Sequence, residues 1–153
     1  MLRSGSLRST ALIAGTLVLA AMSSAGAQEK KVFNPPGLPS NLPFSNGIQL
    51  GDILWVAGQQ GTVSADVSAE TRSTLEHVKS VLDAAGFKFS DVVQVTVYLK
   101  DIADFPKMNA VYREFFPDPK PTRTTVEVAR MVNDAHVEIT VVAARSHGGG
   151  EAK

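Results

Sequence analysis

The sequence contains no cysteine and carries no net charge. The absence of cysteine from all 153 residues excludes a disulfide framework, a thiolate nucleophile and every cysteine-ligated metal site. The 15 basic and 15 acidic residues balance, which argues against a protein built mainly to neutralise nucleic-acid phosphates. Because 44% of the residues are hydrophobic and only 20% are charged, the chain is expected to fold into one globular domain with a packed core.

No apolar run is long enough to span a membrane, but residues 1–27 are organised like a secretory signal peptide. Two arginines precede the 12-residue apolar stretch Ala11–Met22, whereas a membrane span needs about 20 residues. The small residues Ala25–Ala27 then predict cleavage before Gln28. We therefore expect a periplasmic or secreted protein without a stable membrane anchor after cleavage. A non-cleaved anchor or a mitochondrial presequence is the alternative interpretation.

The mature chain is predicted to begin with an extended, irregular lead-in over residues 28–44. Four prolines in this segment fix φ and remove backbone donors. The folded domain is expected over residues 45–145. Near its start, two short apolar runs flank Gly51 and Asp52 and predict a tight β-hairpin, and the second run is expected to end in a flexible polar loop, Gly58–Gly61.

The first helical segment is predicted from the spacing of its apolar residues. Leu75, Val78, Leu82 and Ala85 recur at i, i+3, i+7 and i+10, so they stack on one helical face. Gly86 is expected to end this helix, because glycine enters the left-handed conformation at low cost.

The second helical segment repeats that spacing with larger side chains. Phe105, Met108, Tyr112 and Phe115 are expected to share its buried face. Asp104 is predicted to cap its first turn, where a proline is also tolerated.

The remaining segments of the domain are predicted to be strands. Asp91–Leu99 alternates in the manner of a strand, and two further strands are expected at about Thr124–Val128 and His136–Ala144. The order β-β-α-β-α-β-β predicts an α+β fold in which two helices cover one face of a sheet. Residues 146–153, with three consecutive glycines, are expected to form a disordered tail.

The other face of the predicted sheet carries mixed apolar and polar side chains. Trp55 or its neighbours, together with Val92, Thr96 and Tyr98, would occupy this wide surface. Because an exposed patch of this kind usually marks an interface, we expect a closed homo-oligomer with small-molecule sites at its seams.

The common enzyme motifs are absent, so candidate residues must be sought singly. The sequence contains no nucleophile elbow, P-loop or dinucleotide fingerprint. His77, His136 and His147 lack metal-ligand spacing and are expected to be solvated. Arg123 enters a predicted strand directly and is a suitable clamp for a carboxylate. Glu138 lies within an apolar strand, either on a solvated face or in a cleft where it can transfer protons.

Two other residues have the same ambiguity as Arg123 and Glu138. Glu127 and Arg130 also lie at or near the predicted strands, and spacing alone favours a solvated position for all four side chains.

Several segments in series resemble the reactive-intermediate deaminases of the RidA (YjgF-type) family. The resemblance covers about residues 34–144. The segments that carry it are Leu42–Asn46, Val56–Gln59, Thr71–Leu75, Phe105–Phe116, Pro121–Arg130 and His136–Ile139.

The resemblance implies a chorismate-mutase-like α+β fold and a homotrimer with three clefts between subunits. It also implies hydrolysis of amino-acid-derived imines and enamines, such as 2-aminoacrylate, to 2-oxo acids and ammonia. The activity that the resemblance implies is that of a 2-iminobutanoate/2-iminopropanoate-type deaminase, which is expected to use no metal or organic cofactor.

The resemblance further assigns roles to individual residues. Arg123 matches the arginine that binds the substrate carboxylate, and Glu138 matches the carboxylate that positions or activates water. Asn109 matches an asparagine that lines the cleft, and the backbone of Gly58 borders the pocket. Phe44 stands where many members have tyrosine, so this wall of the substrate pocket is expected to be more apolar.

Other functions remain open alternatives at this point. Phe44 and Ala57, which replaces a common serine, favour a trimeric module that binds small carboxylates or acts as a holdase without turnover. Thr125 also departs from the pattern, because some members have cysteine there. Endoribonuclease activity is poorly supported, since the predicted mature chain has a net charge of −2.

Overall fold

The computed structural model describes residues 28–146, which form one mixed sheet of six strands and two helices. In chain order the elements are β1 (Lys30–Phe33), β2 (Gly47–Leu50), β3 (Ile53–Gln60), α1 (Val67–Ala84), β4 (Val92–Leu99), α2 (Phe105–Phe115), β5 (Thr122–Glu127) and β6 (Val137–Ala144). The strand order is β1-β2-β3-β6-β4-β5, and only the β4–β5 pair is parallel. The predicted α+β arrangement of two helices on a mixed sheet is confirmed.

One strand lies within the segment that was predicted to be an irregular lead-in. β1 precedes the prolines and pairs with β2 at the edge of the sheet, with Val32 opposite Ile48. Its four residues are mostly exposed, so their apolar pattern is too weak to indicate a strand. The predicted signal peptide and residues 147–153 of the predicted tail lie outside the described residues.

The hairpin at Gly51 and Asp52 is confirmed, but the polar loop predicted to follow it is wrong. Gly51 has a φ of +59°, a conformation that suits glycine. β3 continues through Gln60, with an irregularity between Val56 and Gln59 where its pairing with β6 shifts. Such a bulge changes which side chains point to each face of the sheet.

Helix α1 has the predicted buried face and ends as expected. Asp66 caps it by accepting a bond from the backbone N–H of Ser68 at 2.9 Å. Leu75 and Leu82 are fully buried on its inner face. Gly86 follows the helix with a φ of +72°, which is consistent with the predicted left-handed glycine at this end.

Helix α2 packs as predicted, but Asp104 does not cap it through its side chain. The Asp104 carboxylate instead lies 3.2 Å from Lys107 Nζ, while Asp101 accepts a bond from the Ala103 N–H in the preceding short turn. Met108 and Tyr112 are buried on the inner face. The helix therefore covers the sheet with large side chains.

The face of the sheet away from the helices is open, and Trp55, Thr96 and Tyr98 lie on it as expected. Trp55 is 43% exposed. The prediction for Val92 is wrong, because a register shift between Val92 and Gln94 turns Val92 into the core and leaves Val93 exposed. We call this surface the open face; it also carries Val32, Leu50, Ile53 and Val126. Within residues 28–146, none of the helices has the length and apolar character needed to cross a membrane.

Candidate active site

Arg123 lies on the helix-covered side of the sheet. The parallel pairing of β5 with β4 sets Arg123 beside Val95, whose side chain is buried under the helices. The guanidinium carbon is 4.5 Å from the centroid of the Tyr112 ring and 5.5 Å from that of Phe105. Both distances are suitable for cation–π attraction. Among the described residues no carboxylate pairs with this guanidinium.

A cavity of about 340 Å³ contains Arg123, and its charged lining residues are all cationic. They are Arg123, Arg113 and Lys120, with Asn109 and Tyr112 as further polar neighbours. Lys120 is partly neutralised, because its Nζ lies 3.4 Å from an Asp118 oxygen and donates to the Phe116 carbonyl. We call this space the Arg123 cavity. Its charge and its amide and hydroxyl groups suit a small carboxylate.

Tyr112 forms the aromatic wall of the Arg123 cavity, a role that the sequence did not reveal. Its hydroxyl is buried without a well-aligned hydrogen-bond partner among the described residues. Burial raises the pKa of Tyr112 to about 12, although the nearby positive charge of Arg123 opposes this shift. Tyr112 is therefore neutral at physiological pH and supports the guanidinium through its ring.

Glu138 lies on the open face, at the end of the sheet where β3 and β6 pair. It is opposite Gln60 on one side and Tyr98 on the other. Gln60 Nε2 donates to Glu138 Oε2 at 2.7 Å, which fixes one carboxylate oxygen. The other oxygen, Oε1, lies against the backbone of Gly58, where a β-carbon would collide with it. Gly58 therefore permits the carboxylate to approach β3.

A second cavity, of about 570 Å³, contains Glu138 and Gly58. Its polar lining includes His77 and Asn133, and its apolar lining includes Phe44, which is 53% exposed. The other apolar lining residues are Pro39, Leu42, Ala57, Val63 and Val132. We call this space the Glu138 cavity. Phe44 therefore lines the same cavity as Glu138.

The two candidate catalytic side chains do not converge within one chain. Arg123 and Glu138 lie on opposite faces of the sheet and line cavities that share no residue. Asn109 lies with Arg123, whereas Gly58 and Phe44 lie with Glu138. The structure thus divides the predicted site residues into two half-sites.

Neither of the two histidines within the described residues is simply solvated, so that prediction is wrong for both. His77 Nδ1 lies 2.7 Å from the Gln60 carbonyl oxygen. His136 Nδ1 lies 2.9 Å from Glu70 Oε2. His147 lies outside the described residues.

The partner of His136, Glu70, is a buried carboxylate that connects three segments next to the Glu138 cavity. Its oxygens accept bonds from the backbone N–H groups of Ser64, His136 and Val137 at 3.0, 2.6 and 3.2 Å. Burial alone would raise the pKa of Glu70, but these bonds and His136 together lower it below the usual value of 4.5. Nothing in the sequence indicates this role, because Glu70 lies in the first turn of α1 among other polar residues.

The two competing residues, Glu127 and Arg130, line neither cavity. Glu127 accepts a bond from the Ile102 N–H at 2.9 Å, and Arg130 is exposed. Among residues 28–146 there is also no group of three or more histidine, aspartate or glutamate side chains arranged to hold a metal ion.

Comparisons with known proteins agree with the architecture of this site-bearing domain. The family model described as "Endoribonuclease L-PSP" matches residues 37–145. A "RutC family protein" of Pyrococcus horikoshii is 44% identical over 108 residues, which cover 66% of this chain and 86% of that protein. A "2-iminobutanoate/2-iminopropanoate deaminase" of Salmonella typhimurium is 41% identical over 112 residues, which cover 67% of this chain and 88% of that protein.

A solved structure shows the same fold. The crystal structure of E. coli TdcF with bound serine matches with a TM-score of 0.69 and 35% identity, covering 76% of this chain and 99% of that one. The matches in sequence and structure span the domain that contains both half-sites. The chain therefore belongs to the L-PSP family, which is the RidA (YjgF-type) family of the sequence resemblance.

Proposed function

We propose that this protein is a hydrolytic deaminase that converts small imino acids and their enamine forms to 2-oxo acids and ammonia. The observation that carries the proposal is the Arg123 cavity, where a guanidinium that pairs with no carboxylate among residues 28–146 shares the lining with Asn109 and neutral Tyr112. A relative of 41% identity is named as a deaminase of this class, and E. coli TdcF holds serine, which also has a free carboxylate.

We further propose that each complete site is shared between two copies in a homotrimer. Arg123 and Glu138 cannot reach the same small molecule within one chain, because the sheet separates them. The exposed apolar side chains of the open face supply a surface that association would bury. A closed assembly then brings the Arg123 cavity of one copy to the Glu138 cavity of its neighbour.

The proposed reaction needs orientation and proton transfer more than a strong nucleophile, because an imine carbon is already electrophilic. Arg123 holds the substrate carboxylate by two parallel hydrogen bonds. Glu138, held by Gln60, accepts a proton from water as the water oxygen bonds to the imine carbon. Both water protons then reach the nitrogen, the first through Glu138 and the second from the new hydroxyl group as the carbon–nitrogen bond breaks. Ammonia and a 2-oxo acid are released.

The proposal predicts that Arg123→Ala lowers imine hydrolysis by about 100-fold or more, since a charge-assisted anchor of the substrate is lost. The substrate is generated in situ by an amino-acid oxidase, and the loss of the imine is followed by semicarbazone trapping. Arg123→Lys keeps the charge but not the planar fork, so an intermediate rate is expected. Arg130→Ala, which removes an exposed arginine that lines neither cavity, is the matched control and should keep the wild-type rate. Equal rates for the wild type and Arg123→Ala would refute the assignment.

The same assay distinguishes the second candidate function, a non-catalytic module that binds small carboxylates. The apolar lining contributed by Phe44 and Ala57 favours this alternative. Two results together would favour the binding module. Calorimetry would show that the wild type binds pyruvate and that Arg123→Ala does not, and the wild type would not accelerate imine hydrolysis.

A second prediction concerns Gly58 and the placement of the catalytic carboxylate. A β-carbon at this position would lie 2.8 Å from Glu138 Cδ, so Gly58→Ala displaces the carboxylate from Gln60. We expect kcat to fall about 10- to 100-fold, because small misplacements of reacting groups are costly. In a Glu138→Gln background the same substitution should have almost no further effect. Additive losses in the double variant would contradict this explanation.

We also propose that the mature protein acts outside the cytoplasm after cleavage between Ala27 and Gln28. The basic, apolar and small-residue regions of the first 27 residues support this location. Imines made by periplasmic oxidation of amino acids would then be its substrates.

A further inference from the structure

His77 shares the Glu138 cavity with the candidate catalytic carboxylate. Its side chain lines the same space of about 570 Å³, and it is held on α1, whose inner face is packed against the sheet. Gln60 lies between the two groups. Its backbone carbonyl is 2.7 Å from His77 Nδ1, and its side-chain amide donates to Glu138 at 2.7 Å. One residue therefore positions both ionisable side chains.

The contact with Gln60 determines which nitrogen of His77 is chemically available. A carbonyl oxygen only accepts hydrogen bonds, so Nδ1 must carry a proton and donate it. The neutral ring then has its lone pair on Nε2, and the ring can gain and lose a proton there without breaking the bond to Gln60. Fixing one nitrogen in this way is how proteins orient a histidine for proton transfer.

Few other ionisable groups face His77. Among the described residues that line the cavity, Glu138 is the only other ionisable side chain. The neighbours of His77 one turn away on α1, at positions 73, 74, 80 and 81, are uncharged. Asp134, on the turn beyond Asn133, is paired with Lys100 at 2.7 Å. Glu138 is therefore the ionisable group that is placed to act together with His77 in this cavity.

We propose that His77 is a second catalytic residue, which exchanges protons with the substrate nitrogen and oxygen through Nε2. This inference rests on the proposed deaminase function. The cycle starts with His77 protonated on both nitrogens and with Glu138 ionised. For a neutral imine, the water oxygen bonds to the imine carbon while Glu138 takes a proton from the water. The carbon–nitrogen π electrons move to the nitrogen, which takes the proton from His77 Nε2. Glu138 then returns its proton to nitrogen, the carbon–nitrogen bond breaks, and the hydroxyl proton passes to Nε2. Both catalytic groups return to their starting states.

His77→Asn is the sharpest test, because the asparagine amide can still donate to the Gln60 carbonyl but cannot titrate. We expect kcat to fall about 10- to 100-fold with KM changed less than about threefold, since general acid catalysis typically contributes 10²–10⁴. The wild-type kcat should decline as the pH rises, because the proposed cycle starts from the protonated ring. The Asn variant should lack this limb, and Glu76→Gln on the exposed side of α1 should retain it.

A structural role gives a different result, and a second measurement uses the wild type alone. If His77→Ala loses activity while His77→Asn keeps the wild-type rate and pH profile, the proposal is wrong and His77 only supports Gln60.

In the wild type, saturating pyruvate should shift the His77 ring resonance in NMR spectra, and an unshifted resonance would overturn the proposal. Equal rates for the wild type and Arg123→Ala would instead refute the deaminase function itself.

Discussion

Co-expression of Arg123→Ala chains with Glu138→Gln chains is expected to restore about a quarter of the wild-type rate of imine hydrolysis, although each variant alone is nearly inactive. The expectation follows from the positions of the two side chains on opposite faces of one sheet. If each site takes Arg123 from one copy and Glu138 from its neighbour, some sites in mixed assemblies receive two intact groups.

The size of the recovery follows from random mixing in a closed ring. At equal expression, a given seam receives an intact arginine from one side about half of the time and an intact glutamate from the other side about half of the time, which gives about one site in four. The two chains carry different affinity tags, so mixed assemblies are purified by sequential capture and assayed by semicarbazone trapping. Sequential capture discards the unmixed assemblies, so the purified fraction is expected to be somewhat more active than the total pool.

A matched control separates shared sites from chance recovery. In this control, Arg123→Ala chains are mixed with chains that carry both Arg123→Ala and Glu138→Gln. No copy then has Arg123, so no activity should return. If the first mixture is equally inactive although mixed assemblies form, the site lies within one copy and the proposed arrangement is wrong. A monomer in sedimentation experiments at micromolar concentration would also exclude a shared site.

The sequence predicted the elements of the fold well where apolar periodicity is strong. Leu75 and Leu82 on α1, and Met108 on α2, were identified correctly because a helix repeats its buried positions every three or four residues. The two places where the strands are irregular were not predicted from the sequence. The shift at Val92 and the bulge before Gln59 each insert an extra residue, and alternation alone cannot locate such an insertion.

The candidate site was predicted as a set of residues but not as an arrangement. Motif resemblance identified Arg123 and Glu138, yet their relative orientation depends on how two different strands pair with β4. That register is a tertiary property, because a change of one residue moves a side chain to the other face. His77 and Glu70 were missed for a related reason, since their partners Gln60 and His136 are distant in sequence.

Glu70→Ala is expected to lower the free energy of unfolding by about 3–5 kcal/mol at pH 7, since each buried donor left without its acceptor costs about 1–3 kcal/mol. The substitution leaves the N–H groups of Ser64, His136 and Val137 without their acceptor in the interior. It also releases the loops on either side of the Glu138 cavity. Urea unfolding at one fixed protein concentration measures the loss, because assembly contributes to apparent stability. Glu76→Ala, on the exposed side of the same helix, should change stability by less than about 0.5 kcal/mol.

The contribution of Glu70 should disappear at acidic pH. Hydrogen bonds to its carboxylate lower the pKa of Glu70 in the folded state, so the unfolded chain binds the proton more readily. The stabilisation is therefore fully present above the ordinary pKa of 4.5 and is lost as the pH falls through the lower folded value. Glu70→Gln keeps an oxygen acceptor but cannot ionise, so the difference in stability between it and the wild type should shrink as the pH falls below about 4.5. A difference that stays constant over this range would show that the ionised carboxylate is not what holds these three segments together.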